Sequence, residues 1–426
     1  MKQRLSRCFV RISQLLCKQM KLIEINATYG IGSTGRIVAD LIDEAKFNNI
    51  DVGVAYQSTD REAEFGFKVG NPVDRAWHGL MTRVMGRQGY NSRGATKKLI
   101  KWLDGQKPDV VHLHNLHSNY INLELLFSYL AKQDIATVIT LHDCWFFTGK
   151  CCHFVESNCE RWQTGCHDCP RNKLDIKSLF FDASARVWED KRRLYEAVPR
   201  LYTVGCSKWI TELARKSILS SGNVLQIYNG VDTDVFKPTV TDFKKRYGID
   251  GKFITLGAAN KWLLPENKAL LDAYIKTKKD DEALVLFGID ESEKRSVPEN
   301  SGVVVLGYIT DKADMAELFA SADVFINPTH ADTLPTVNME AAACGTPVIT
   351  YDVCGSPELV NDGVTGYVVP EGDVLGVLCA KTAVRDGKIS RDACRNHALS
   401  NFDKNANYKK YIELFKEIYN GETDLC

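Results

Sequence analysis

Two carboxylates eight positions apart, Asp332 and Glu340, stand in the segment Asn327-Pro328-Thr329-His330-Ala331-Asp332-Thr333-Leu334-Pro335-Thr336-Val337-Asn338-Met339-Glu340. A strand-like run precedes the segment and a helix-like run closes it. Asp332 is thereby expected in a loop and Glu340 on the first turns of a helix. A carboxylate accepts paired hydrogen bonds and suits the vicinal hydroxyls of a sugar or ribose. The backbone around Leu334, Pro335 and Thr336 opens the helix, where free N–H groups favour a phosphate. The same residues would also serve as a solvated acid pair capping a helix, and spacing alone leaves both roles open.

Three further groups have chemical potential. Ala27-Thr28-Tyr29-Gly30-Ile31-Gly32-Ser33-Thr34-Gly35-Arg36 follows the opening strand and precedes a helix expected to begin near Arg36. Its glycines let backbone approach a ligand, and Gly32 and Ser33 lie where an anion would meet the helix. The Gly-x-Gly-x-x-Gly match is weak, because no acidic residue ends the second strand, where Val54-Ala55-Tyr56-Gln57-Ser58 stands; this disfavours a nicotinamide enzyme. His142, beside Asp143 at a strand end, has the chemistry of a catalytic histidine and equally that of one fixing a loop. Cys151, Cys159, Cys166 and Cys169, with His153 and His167 nearby, have ligands for a structural zinc, although the outer spacings are loose. Reduced thiols in a packed loop are the alternative.

These groups need strand ends to hold them. Strands are expected at Lys21–Asn26, Asp51–Gln57, Asp109–Asn115, Ala136–His142, Leu201–Cys206 and Val224–Tyr228, with helices at Arg36–Asn48, Ala95–Gly105 and Asn122–Gln133. The pattern repeats with strands at Phe253–Gly257, Glu282–Phe287, Gly302–Gly307, Asp323–Pro328, Thr346–Thr350 and Gly366–Val369, and helices at Asn267–Thr277, Ala313–Ala320 and Thr336–Ala343. This is α/β class: two doubly wound parallel sheets, with ligands expected at the strand C-terminal ends. The expected divisions are 20–230 with a cysteine-rich insertion at 144–170, then 231–400, then a helix over 401–426 that packs back on the first unit. Val231–Lys252 reads as the hinge region.

The chain has 426 residues, enough for two cores, with 54 basic and 54 acidic side chains. The zero balance argues against a polybasic nucleic-acid binder. No apolar run has membrane-spanning length. The basic residues 1–19 lack the apolar centre of a signal peptide. They read as a leader before a start at Met20, with a basic amphipathic helix on anionic lipid as the alternative.

Four stretches, taken in order, resemble the bacterial retaining GT-B glycosyltransferases of family 4 used in capsular and exopolysaccharide assembly. They are Tyr228-Asn229-Gly230-Val231-Asp232-Thr233-Asp234-Val235-Phe236-Lys237-Pro238, the loop from Asp332 to Glu340, Ala341 to Ile349, and Gly355-Ser356-Pro357-Glu358 running on to Gly366. The resemblance covers nearly the whole chain after Met20. It implies a GT-B fold, two Rossmann-like domains facing a central cleft. It also implies a UDP- or GDP-sugar donor, a glycan or lipid-linked oligosaccharide acceptor, and a cytoplasmic protein that meets the inner face of the membrane peripherally. Glu340 matches the glutamate that binds ribose, and His142 a histidine near the donor sugar. Asp332 stands where the family usually has Glu, one methylene shorter. Leu334, Pro335 and Thr336 match the backbone that meets sugar and diphosphate, and Lys261 and Lys268 the two diphosphate cations. With those cations no catalytic metal is expected, and no Asp-x-Asp pair closes a strand. The family's mechanism makes the leaving phosphate the proton acceptor. Rival expectations are another GT-B enzyme, such as a sugar-nucleotide epimerase or phosphorylase, and a non-catalytic nucleotide-sugar-binding subunit. The basic residues Arg75, Arg83, Arg87, Arg93, Lys97 and Lys98 face either a membrane or solvent.

Overall fold

The computed structural model describes residues 19–61, 63–290, 293–298 and 301–421. All but the last residue of the 1–19 leader, with its alternative as a lipid-bound helix, lies outside the described residues. The first unit is a parallel sheet of Lys21–Tyr29 (β1), Asp51–Thr59 (β2), Gly66–Lys68 (β3), Val110–Leu113 (β4), Ala136–Leu141 (β5), Leu201–Gly205 (β6) and Asn223–Gln226 (β7). Its order is β3-β2-β1-β4-β5-β6-β7. The second sheet contains Phe253–Ala258 (β8), Glu282–Phe287 (β9), Val304–Val305 (β10), Val324–Asn327 (β11), Val348–Tyr351 (β12) and Gly366–Val369 (β13). Its order is β10-β9-β8-β11-β12-β13. Strand order reverses between β1 and β4 and again between β8 and β11. Ligands of open parallel sheets bind in the crevices at such reversals. The loops after β1, β4, β8 and β11 are therefore the ones that matter.

Helices of eight residues or more cover the sheets. In the first unit they are Gly32–Phe47 (α1), Pro72–Met85 (α2), Arg93–Gln106 (α3), Leu123–Lys132 (α4), Ser184–Glu196 (α5) and Lys208–Arg215 (α6). Lys268–Thr277 (α7), Lys312–Ser321 (α8), Thr336–Ala343 (α9), Val374–Arg385 (α10), Arg391–Phe402 (α11) and Lys404–Asn420 (α12) follow. Strands β4 and β5 are buried along their whole length, as their largely apolar runs require in a sheet covered on both faces.

Two local expectations change. Helix α1 starts at Gly32, not near Arg36, because Gly30 and Gly32 already turn the chain with positive φ. The strand expected over Gly302–Gly307 shrinks to two residues at the sheet edge. Within the segment Val231–Lys252, Phe236, Phe243 and Ile249 are buried, and Val231 bridges to Asp403.

The C-terminal tail divides at Asp403, whose carboxylate accepts from the Ala406 N–H and starts α12. Tyr408, Tyr411, Ile412, Phe415 and Ile418 of α12 share a buried cluster with Leu22, Val38 and Leu41 of the first unit. Each large apolar side chain so buried contributes about 1.5–3 kcal/mol, more than the partly exposed ion pairs of Lys404 with Asp40 and Asp232. The chain crosses itself at Gly230, where a Cβ would come within 2.2 Å of the Lys404 Cα. This crossing accounts for the glycine in the Tyr228–Pro238 stretch.

Candidate functional site

The loop after β11 carries Asp332. Its carboxylate accepts from the Leu334 N–H at 3.1 Å. Gly355 packs so closely on the neighbouring Thr333 that a Cβ there would sit 1.9 Å from the Thr333 carbonyl oxygen. Leu334 and Pro335 are buried and Thr336 half-buried. Helix α9 opens at Pro335 with no side-chain cap and no acid in its first turn. Helix α1 likewise opens after Ile31 uncapped, with Gly32 and Ser33 exposed at its start. Two helix N-termini, one from each unit, thus keep unsatisfied amides and partial positive charge for an anion.

Both carboxylates, Asp332 in the loop and Glu340 in α9, are held above their ordinary range. Burial raises Asp332, against the pull of Lys261, His153 and the Leu334 N–H. Burial pushes Glu340 up to about 7, against Arg36 and Lys312. The Glu340 carboxylate has no hydrogen-bond partner among the described residues. Arg36, in the first turns of α1, also donates to the Thr310 carbonyl oxygen at 3.2 Å, so cations from both units flank Glu340. A desolvated carboxylate without donors is an acceptor suited to ligand hydroxyls.

The two lysines expected at the diphosphate separate. Lys261, in the short helical turn Ala259–Trp262 after β8, is the strongest charge acting on Asp332. Asn267 braces this turn to the Asp332 loop, its amide donating to Lys261 O at 3.0 Å and Pro328 O at 2.6 Å. Lys268 stands 74% exposed, its ammonium 2.9 Å from Asp272 on the same helix.

The opposite wall, on the first unit, holds His142. Its Nε2 lies 2.9 Å from Nδ1 of His114, whose Nε2 lies 2.8 Å from Glu24. His112 joins Glu24 at 3.0 Å through Nδ1 and Thr140 at 2.7 Å through Nε2, and Thr140 meets Tyr411 of α12. Glu24, His112 and His114 are wholly buried. Burial alone would raise Glu24, yet the two imidazoles hold it down to about 2; burial lowers His114 to about 4. Glu24 is therefore ionised and His114 neutral near neutral pH. The His114 proton sits on Nε2, toward Glu24, and Nδ1 accepts from His142 Nε2. That leaves Nδ1 of a neutral His142 as a hydrogen-bond acceptor. Beside it, His117 Nε2 lies 2.9 Å from Asp143. Burial would raise Asp143, but His117 and the Trp145 N–H bring it to about 2.

The four cysteines expected to bind zinc are not drawn into one coordination sphere. Two groups of three or more candidate ligand atoms lie within 4.8 Å of one another among the described residues: Glu24, His112 and His114, and His117, Asp143 and Cys152. Neither includes Cys151, Cys159, Cys166 or Cys169. The long spacings are taken up by the turns Phe154–Ser157 and Arg161–Gln163. Burial pushes the Cys151 thiol to about 12 and that of Cys166 to about 11, and raises Cys169. Glu156 of the insertion, with Arg171 and Lys177 just after it, walls a cavity of about 870 Å³, facing Glu266, His330 and Glu371 of the second unit.

Sequence reasoning missed Glu24, His112, His114, His117, Arg36 and Lys312. A carboxylate in the apolar run Leu22-Ile23-Glu24-Ile25 and the His-x-His at the end of β4 were the available signals, since a buried polar group needs a partner. It also gave no role to Glu358, whose carboxylate accepts from Lys208 N at 2.8 Å and Trp209 N at 2.7 Å, capping α6 across the cleft.

Residues 34–235 match the model described as Glycosyltransferase Family 4, and residues 254–381 that of Glycosyl transferases group 1. The chain is 28% identical over 289 residues to the putative colanic acid biosynthesis glycosyl transferase WcaC of Escherichia coli, covering 63% of this chain and 65% of that one. It thus spans just under two thirds of that relative. Among solved structures, sucrose-phosphate synthase of Thermosynechococcus elongatus superposes with TM-score 0.69 at 15% identity, over 95% of this chain and 100% of that one. Alr3699/HepE of Anabaena, in complex with UDP and glucose, does so with TM-score 0.61 at 17% identity, over 93% and 100%. The fold is GT-B. No helix among the described residues is long and apolar enough to cross a membrane.

Proposed function

We propose that this chain, which carries family 4 and group 1 glycosyltransferase domains on a GT-B fold, moves a hexose-type sugar from a UDP- or GDP-sugar to a glycan or lipid-linked oligosaccharide. The setting is cell-surface polysaccharide assembly at the inner face of the cytoplasmic membrane. The observation that carries this reading is the unpaired Glu340, flanked by Arg36 and Lys312 and set behind the uncapped start of α9. Ribose hydroxyls donate to Glu340, and donor-sugar hydroxyls donate to Asp332 and to Nδ1 of His142. The diphosphate lies at the two helix N-termini near Lys261, where charge developing on the leaving group is stabilised.

Transfer proceeds with retention and without a metal. The acceptor oxygen bonds to the anomeric carbon as the bond to the β-phosphate oxygen breaks. The acceptor's proton passes to that phosphate on the same face. The cations already at the site offset the phosphate charge, which supports metal independence.

The reading is tested by a thermal-shift screen of UDP- and GDP-sugars, followed by transfer assays with and without acceptor and with chelator. Donor binding stabilises the fold by mass action. The expected result is a melting rise with one nucleotide class, then acceptor-dependent, chelator-resistant release of nucleotide and an anomeric proton of unchanged configuration. Turnover that ignores acceptor would favour an epimerase, and binding without turnover a non-catalytic subunit.

A further inference from the structure

Helix α2 is amphipathic the wrong way round. Its buried residues are the polar His78 and Thr82. His78 bonds Ser92 through Nδ1 at 2.7 Å and accepts from Gly89 N through Nε2 at 3.2 Å, which ties that polar face to the start of α3. The outward face presents Val73, Trp77 and Leu80, exposed by 76%, 58% and 50%. A helix on a soluble surface ordinarily turns its apolar stripe to the core.

A second element extends the apolar face. The loop after Asn172 is pinned to the end of α2 by the Leu179 N–H, which donates to Arg83 O at 2.7 Å. The Phe181 carbonyl lies against Gly86, where a Cβ would come within 2.5 Å of its oxygen. Leu179, Phe180 and Phe181 are more than half exposed beside that end. Exposed apolar and aromatic side chains grouped in this way mark an interaction surface.

The charge around it identifies the occupant. Arg75, Arg83, Arg93, Lys173 and Lys177 are exposed and have no ion-pair partner among the described residues. The chain as a whole balances 54 basic against 54 acidic groups, so this surplus is local. Of the acids nearby, Asp74 caps the start of α2, accepting from the Asn71 N–H, and Asp175 is paired with Arg171. A cavity of about 610 Å³ opens on the flank of α2, lined by Lys68, Arg75, Arg83 and Asn119, with room for a headgroup phosphate. Aromatic and aliphatic side chains ringed by unpaired cations match the boundary between headgroups and acyl chains of an anionic bilayer.

We infer that α2 and the loop Leu179-Phe180-Phe181 dock the first unit on an anionic lipid surface. Lys173 and Lys177 belong to the cleft-mouth cavity as well as to the ring of cations, so docking presents the cleft to the membrane. The inference deepens the acceptor side of the proposed function. Its test does not depend on catalysis.

The full chain is mixed with vesicles of phosphatidylcholine alone, or of phosphatidylcholine with phosphatidylglycerol, and sedimented at low and high salt. Binding is expected only with phosphatidylglycerol and is weakened by salt. The charge reversal Arg75→Glu with Arg83→Glu, and separately Trp77→Ser with Phe180→Ser, are each expected to lower the vesicle partition at least about tenfold. Donor-induced thermal shifts should be unchanged, which shows the variants folded and separates this inference from the donor-site reading. Failure of the wild type to sediment with phosphatidylglycerol vesicles overturns the inference. So does a wild-type dimer in light scattering that the same substitutions dissociate, since the face would then belong to a second copy of the chain.

Discussion

Glu24 and Glu340 are two desolvated carboxylates on opposite walls of one cleft, and burial drives them in opposite net directions. Glu24 faces two imidazole donors and is held at about 2; Glu340 faces none and rises to about 7. The difference separates a finished site from a waiting one. Around Glu24 each imidazole N–H has its acceptor, and the network positions His142. At Glu340 the acceptor is formed and its donors are absent from the protein. Burial by itself says little about function; the missing partner says more.

The comparison breaks first at Glu24. Glu24→Ala strands two buried imidazole N–H groups, each at a cost of about 1–3 kcal/mol, so a loss of several kcal/mol in denaturant stability is expected. Glu24, depressed on folding, supplies stability that is present above its ordinary 4.5 and lost as pH falls toward about 2. His114, depressed from 6.5 to about 4, supplies stability present above 6.5 and lost as pH falls through that window. Wild-type melting should therefore fall on acidification, and the variant's fall should be shallower. If Glu24→Ala melts like the wild type, the network does not support the fold.

Glu340→Ala should act in the reverse sense. Removing hydrogen bonds to a charged acceptor is expected to weaken donor use by about 1.5–3 kcal/mol in kcat/KM. Stability should not fall. Glu340, raised on folding, opposes the fold progressively as pH climbs from 4.5 to about 7, so the alanine variant should be the more stable above that window. Near-normal kinetics in a folded Glu340→Ala protein would remove the ribose assignment.

This contrast also explains what could be read from the chain. The donor wall is local in sequence: Asp332, Leu334–Thr336 and Glu340 lie within nine residues, so spacing and resemblance find it together. The two-sheet fold was legible for the same reason, since most strands are β-branched runs and helices fill most of the gaps between them. The Glu24 wall is assembled from β1, β4 and β5, and its hydrogen bonds join residues 28 to 90 positions apart. Inward-facing imidazoles in an apolar strand look like the rest of the strand until register brings them together. Helix α2 escaped for a related reason: its apolar period is ordinary, and only the structure reveals that it faces outward.

Donor affinity should titrate with Glu340. The carboxylate must be ionised to accept from two hydroxyls, so the donor dissociation constant should fall as pH rises toward about 7 and level off above it. The change is at most about tenfold per pH unit below that value. Calorimetric titration of the donor across this range, repeated with Glu340→Gln, checks the assignment. A flat wild-type profile, or an unchanged slope in the variant, would give the titration to another group.

The smallest effect separates Lys261 from Lys268. The resemblance makes both diphosphate ligands, while the structure brings only Lys261 to bear on Asp332. Lys261→Ala removes a cation from a desolvated site and should weaken donor binding by about 1 kcal/mol, with Asp332 rising further. Lys268 is 74% exposed and paired with Asp272 one helical turn away, an arrangement of low energetic worth. Lys268→Ala should therefore leave stability, and donor binding to this conformation, within about 0.5 kcal/mol of wild type. Thermal-shift midpoints at matched donor concentration distinguish the two. A larger donor loss at Lys268 than at Lys261 would mean that Lys268 leaves Asp272 for the diphosphate when the donor binds. The donor wall would then be assembled partly by its ligand, and the contrast with the finished wall at Glu24 would be greater still.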